Sequence, residues 1–164
     1  MYTEFNKLDK RARLWVYQAD RAFNEAEKEL ILERGKAFVE SWTAHNKALI
    51  ASIEIKYNQF IILAVDETKA AATGCSIDKS VHFVRLLEDE LKINLLDKSK
   101  IAFLKDDEVV LENLSSIKSK IESEDIEADS LVFNNMVTDK AQFDANWIIS
   151  AANSWMGRYF QLKV

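Results

Sequence analysis

Residues 60–65 read FIILAV, an unbroken apolar run. Side chains along a strand alternate between the two faces of a sheet, so such a run needs apolar cover on both sides. Its shortness favours a strand over a buried helix. The run is therefore expected to be a central strand covered on both faces. Just before it, Ala48 to Lys56 (ALIASIEIK) alternates, with Ile53 and Ile55 on one face and Ser52, Glu54 and Lys56 on the other. That is the pattern of a half-buried strand. Tyr57-Asn58 between the two suits a tight turn.

Leu14 to Ala19 (LWVYQA) is a second largely apolar run and the first strand candidate. A helix follows from Asn24 to Trp42. Phe23, Leu30, Ile31, Ala37, Phe38 and Trp42 recur near a 3.6 period. Asn24 is its N-cap, with Glu27 three residues on completing a capping box. A second helix spans Ile77 to Lys92, with Ile77, Val81, Val84, Leu87 and Leu91 in one stripe and Phe83 at its edge. Ile101 to Leu104 and Glu108 to Leu111 are short strands joined at Asp106-Asp107. A helix over Leu114 to Ser123, a charged stretch (ESEDIEAD) and a strand over Leu131 to Phe133 come next.

The first 104 residues thus read β-α-β-β-α-β, which predicts an α+β protein with a ferredoxin-like split core. Its first and third strands would be central and its second and fourth would be edges. Residues 105–164 would extend the sheet and cover part of it. The whole chain, 1–164, is expected to be a single domain.

The net charge of −5 and the pI near 5.2 argue against a nucleic-acid backbone as main partner. The sequence contains no apolar run long enough for a membrane span and no apolar signal core. One cysteine cannot form an internal disulfide, and zinc-type C-x-x-C pairs are absent. These features predict a cytoplasmic protein without a metal or other cofactor.

FIILAVDE, residues 60–67, matches the loose pattern of a Walker B strand. The phosphate loop that would accompany it is missing. The single Gly-Lys pair is Gly35-Lys36. Leu30 stands where the loop needs its first glycine, and Ala37 where it needs a hydroxyl for magnesium. The pair also falls inside the first helix. P-loop ATP hydrolysis is therefore excluded as a reading.

The segments ASIEIKYNQFIILAVDE, ATGCSIDKSVHFV, LVFNNMVTD and SWMGRYF together resemble a family of uncharacterised small bacterial proteins commonly labelled "ABC transporter ATPase". The resemblance spans nearly the whole chain. The GCSID and SW-x-GR-[FY]-F segments are its most specific parts. It implies a shared fold and assigns no residue role, and the ATPase label conflicts with the missing phosphate loop.

Cys75, in AATGCSIDKS, stands beside the expected start of the second helix. Helix N-termini favour thiolate, the nucleophilic form. A free cysteine is more commonly a small buried residue, and Cys75 is expected to be one. A base would have to be His45 or His82. His82 lies on the polar side of its helix, and His45 is expected at the far end of the sheet. Thr73, Gly74 and Ser76 form a possible anion-binding turn. Their simpler role is a helix cap, supplied by Ser76 or Asp78, with Gly74 easing the turn. In the tail, Trp155 and Arg158 are candidates for a ligand or partner surface, together with Asn134 and Asn135 after the Leu131–Phe133 strand. The sequence therefore points to a binding or interaction module without catalytic chemistry of its own. Its ligand would be a protein, another copy of itself or a small anion. The alternative is a thiol-dependent enzyme using Cys75, with Asp66 or Asp78 nearby.

Overall fold

The computed structural model describes residues 1–161. The chain runs through β1 (Arg13–Gln18), α1 (Glu25–Ser41), a small hairpin of β2 (Thr43–Ala44) and β3 (Lys47–Ala48), β4 (Ile50–Lys56) and β5 (Phe60–Asp66). It continues with α2 (Gly74–Leu91), β6 (Lys100–Lys105), β7 (Glu108–Asn113), α3 (Ile117–Glu122), β8 (Leu131–Phe133), α4 (Lys140–Asn146), β9 (Ile148–Ser150) and α5 (Gly157–Gln161). The fold is α+β, with antiparallel pairing throughout its two larger sheets.

The first sheet has the order β1-β5-β4 and the second the order β7-β6-β8-β9. Three apolar cores stack these elements into layers. Ile61, Leu63 and Val65 of β5 face α1 and α2, meeting Ile31, Val39, Val84 and Leu87. Phe60, Ile62 and Ala64 face the second sheet, meeting Ala102, Phe133 and Trp147. The outer face of that sheet, with Phe103 and Val132, is covered by Ile117 and Ile121 of α3 and by Met156, Tyr159 and Phe160 around α5. The order is helices, sheet, sheet, helices. The face between the sheets is rich in rings. Trp147 stacks on Phe143 with centroids 4.6 Å apart and meets Phe133 at 4.9 Å and Phe60 at 5.0 Å.

The fourth strand departs from the ferredoxin-like arrangement. β6 pairs with β7 and β8 and not with β1. Its residues are apolar on both faces: Ala102 belongs to the core between the sheets and Phe103 to the outer core. A strand of that kind is satisfied at the centre of its own sheet. The C-terminal residues thus build a second layer and do not widen the first. β1, expected at the centre, is an edge of its sheet.

Local signals explain the helix starts. The Asn24 side chain accepts from the Glu27 N–H at 2.8 Å, and the Glu27 carboxylate accepts from the Asn24 N–H at 3.0 Å. α1 buries Ile31, Gly35 and Val39, while Ala37, expected on that side, is exposed. Gly35 is there because β4 crosses close: a Cβ would meet Ile53 Cδ1 at 2.2 Å. α2 is capped by Thr73 and begins at Gly74, so the expected caps Ser76 and Asp78 lie inside it. Its buried side is Ser76, Ser80, Phe83, Val84 and Leu87, rotated from the expected stripe. The small serines let the helix sit close to Trp42, whose indole N–H donates to the Ser76 carbonyl at 2.9 Å.

Gly157, in the SWMGRYF segment, also has a steric role. A Cβ there would lie 2.4 Å from the Ala152 carbonyl oxygen, whereas one at Gly74 would meet nothing within 4 Å. Gly157→Ala is expected to lower stability by about 1–3 kcal/mol through overpacking. Gly74→Ala should raise it by about 0.4–1 kcal/mol by restricting the unfolded chain. Urea unfolding of both variants checks the pair.

Glu27 gives a pH prediction. Two Arg21 N–H groups donate to its carboxylate at 2.8 Å, and with the Asn24 N–H they hold its pKa down to about 2, from an ordinary 4.5. A depressed carboxylate stabilises the fold above its unfolded value, and that contribution is lost as pH falls through the folded value. Glu27→Gln should therefore be less stable than the parent at pH 7. The gap should shrink as pH drops from about 4.5 towards 2. Denaturant titrations across that range measure it.

Candidate functional site

In an antiparallel pair the backbone groups of alternate residues point to opposite edges. The Leu14 N–H donates to the Thr138 carbonyl at 3.0 Å, on the side away from β5. Val16 and Gln18, two and four residues on, must face the same way. Their backbone N–H groups have no protein partner among the described residues. At the far end of the edge, the Gln18 side chain donates to the Lys100 carbonyl at 3.2 Å. β6 thus starts beside the end of β1 and then veers into the second sheet. β8 pairs with β6 only at Phe103 and Leu104, so these strands also separate towards Lys100.

The resulting cleft has a volume of about 930 Å³ and runs along β1 from Arg13 to Gln18. Val132, Phe133 and Ile149 of the second sheet form part of its lining, with Leu95 and Leu96 from the segment after α2. Leu114, Met136 and Trp155 also line it and are 48%, 81% and 46% exposed.

A chain of amides fixes one end of the cleft. The Trp147 Nε1–H donates to Asn135 Oδ1 at 2.9 Å. Asn135 Nδ2 donates to Gln18 Oε1 at 3.0 Å, and Gln18 Nε2 passes the sequence on to Lys100. An indole N–H can only donate, so it sets the orientation of both amides. Next to them, Asn134 Oδ1 accepts from the Met136 N–H at 3.2 Å, a turn that presents the Met136 side chain outward.

The charges at the mouth are mostly basic. Arg13 lies 5.0 Å from the Trp15 ring centroid, and neither it nor Lys98 has an ion pair among the described residues. Lys100 Nζ donates to Asn113 Oδ1. The one carboxylate in the lining, Asp97, accepts from the Ser99 N–H and hydroxyl, which lower its pKa. Burial pushes the Tyr17 hydroxyl up, against a smaller opposing effect from Ser80, so it stays a neutral phenol.

Asn134, Asn135 and Trp155, singled out from the sequence, converge on this cleft; Arg158 does not line it. The Arg158 guanidinium instead donates to the Tyr159 hydroxyl at 2.8 Å. Arg13, Gln18, Lys98, Leu114 and Met136 were not singled out. Met136 carried a readable signal: a long apolar residue in an Asn-rich turn has no core to enter. Arg13 and Gln18 carried none, because the open edge of β1 is a property of the sheet order.

The turn before α2 lies elsewhere. The Thr73 hydroxyl accepts from the Ser76 N–H at 3.2 Å, and Ser76 Oγ accepts from the Thr73 N–H at 2.5 Å. These hydroxyls are thus spent on the cap, and Ser76 is buried. Asp66 accepts from the Thr68 N–H and hydroxyl, and Glu67 from the Ala72 N–H, so the Walker-like end of β5 is an internally bonded turn. No cluster of three potential metal ligands occurs among the described residues. Nor is any helix among them long and apolar enough to cross a membrane.

Cys75 is exposed, contrary to the expected burial. The helix begins earlier than expected, which turns position 75 outward from the buried Ser76 and Ser80 side. The separation of His45 from Cys75 also needs correction. β1 and β5 are antiparallel, so the chain leaves them at opposite ends, and α1 finishes where α2 begins. The Trp42–Ser76 hydrogen bond marks that meeting point. His45 and His82 are both exposed, and among the described residues neither hydrogen-bonds the Cys75 thiol. A thiol without a base hydrogen-bonded to it lacks the usual means of activation. Native Cys75 should take up iodoacetamide at about the pace of glutathione in the same buffer. Labelling orders of magnitude faster would revive a nucleophilic role.

No family model, curated protein or solved structure matches the chain, so its site is read from its own geometry.

Proposed function

We propose that the chain is a binding module whose ligand occupies the cleft beside β1, without catalytic chemistry of its own. The convergence of Leu114, Met136 and Trp155 on one concave surface carries this reading. Single exposed apolar residues are ordinary, but several around one cleft favour a contact surface. The lining supports recognition in its chemistry too, with oriented amides, with Arg13 and Lys98 free of ion pairs among the described residues, and with neither cysteine nor histidine. Arg13 and Lys98 favour a ligand with negative charge.

An anionic aromatic dye, 8-anilinonaphthalene-1-sulfonate, is a suitable probe. It should bind with a rise in fluorescence. Met136→Ala and Trp155→Ala should each weaken it about tenfold, as a loss of ~1.4 kcal/mol of apolar contact implies. Leu86→Ala, in the separate groove between α1 and α2, should leave binding unchanged. Dye binding insensitive to both cleft substitutions in folded protein would overturn the reading.

A further inference from the structure

The open edge of β1 says what kind of ligand the cleft takes. Val16 is half-buried, yet its backbone N–H and C=O and the Gln18 N–H point into the cleft without a protein partner among the described residues. Backbone groups in an apolar setting are satisfied most completely by another strand. The position such a strand would take is defined at both ends, by the Thr138 carbonyl on Leu14 and by Lys100 beside Gln18. It is the place of the fourth strand in a split β-α-β-β-α-β sheet, which β6 leaves vacant.

We propose that this edge accepts an extended acidic–apolar segment of a partner protein as an added strand on β1. The proposal rests on the cleft being the binding site. From Leu14, whose N–H is already held by Thr138, to Gln18 the edge spans about 13 Å at ~3.3 Å per residue, enough for a short peptide strand. Alternate side chains of that strand would enter the apolar lining near Phe133 and Val137, and the others would meet the basic mouth. The charge pattern selects the occupant. Arg13, Lys98 and Lys100 outnumber the one lining carboxylate, Asp97, which is already bonded to Ser99, so the mouth is basic in a chain of net charge −5. Pairing β1 with the β1 of a second copy would bring two such basic mouths together, whereas an acidic partner neutralises one.

A blocked hexapeptide alternating glutamate and valine is the probe, titrated by calorimetry against the full chain. Two isomers, N-methylated at one or the other alternate set of amides, test the backbone contact. One isomer should bind about tenfold or more weakly and the other within about threefold of the parent peptide. The lysine–valine counterpart should not bind. Val16→Pro removes a donor from the open edge and should abolish binding. Should that variant fail to fold, the exposed substitution Lys98→Glu keeps the test, and should weaken the glutamate peptide severalfold. Equal binding of both methylated isomers would overturn strand addition. Loss of all peptide binding while the sulfonate dye still titrates would overturn it too, leaving the cleft as a small-anion site. If neither binds, the binding reading itself falls. A dimer of the free chain that Lys98→Glu alters would make a second copy the occupant and likewise overturn the proposal.

Discussion

Three of the four layers meet at β5. Its six apolar residues are each at most 1% exposed, and they divide strictly by parity between two cores. Burying a large apolar side chain is worth about 1.5–3 kcal/mol, so one short strand concentrates much of the driving force for association. Neither face can be left open. One recruits the paired helices and the other recruits the second sheet, and the outer face of that sheet in turn recruits α3 and α5 as the fourth layer.

The same demand shapes the cleft. β6 is apolar on both faces and leaves the β1 edge to become the centre of another sheet. The second sheet then lies against β5 face to face, with the aromatic cluster of Phe60, Phe133, Phe143 and Trp147 between them. What remains beside β1 is a gap bounded by strands and turns on several sides. Unpaired sheet edges invite indiscriminate pairing. Here the edge lies along the floor of the cleft with Val16 half-buried, so it is less open to such pairing than an edge on the outer surface.

Much of this was legible in local patterns. The capping box of Asn24 and Glu27 and the left-handed turn at Tyr57-Asn58 follow from neighbouring residues. The alternation of β4 misled: Ser52, expected on the solvent face, is buried, because that face also lies against the second sheet. The place of β1 was not. An apolar run reports cover on two faces, and LWVYQ has that cover, with Leu14 in one core and Tyr17 in the other. It says nothing about whether both edges are paired. The partner of β6 was hidden for a similar reason, since strand pairing is decided by residues distant in sequence. Of the cleft, Asn134, Asn135 and Trp155 stood out by residue type. Gln18 and Arg13 matter only because the edge beside them is open. Cys75 was expected inside because free cysteines are commonly buried, but α2 starts at Gly74 and sets position 75 outside its buried side.

The hydrogen-bonded series from Trp147 through Asn135 and Gln18 to Lys100 ties together parts of the chain far apart in sequence. Each amide is committed to one orientation by the one before it, and the first donor cannot reverse. The wall therefore behaves as a single calibrated spacer. A guest too wide for the gap would have to turn over two linked groups at once, so the width of the opening is set as sharply as its chemistry.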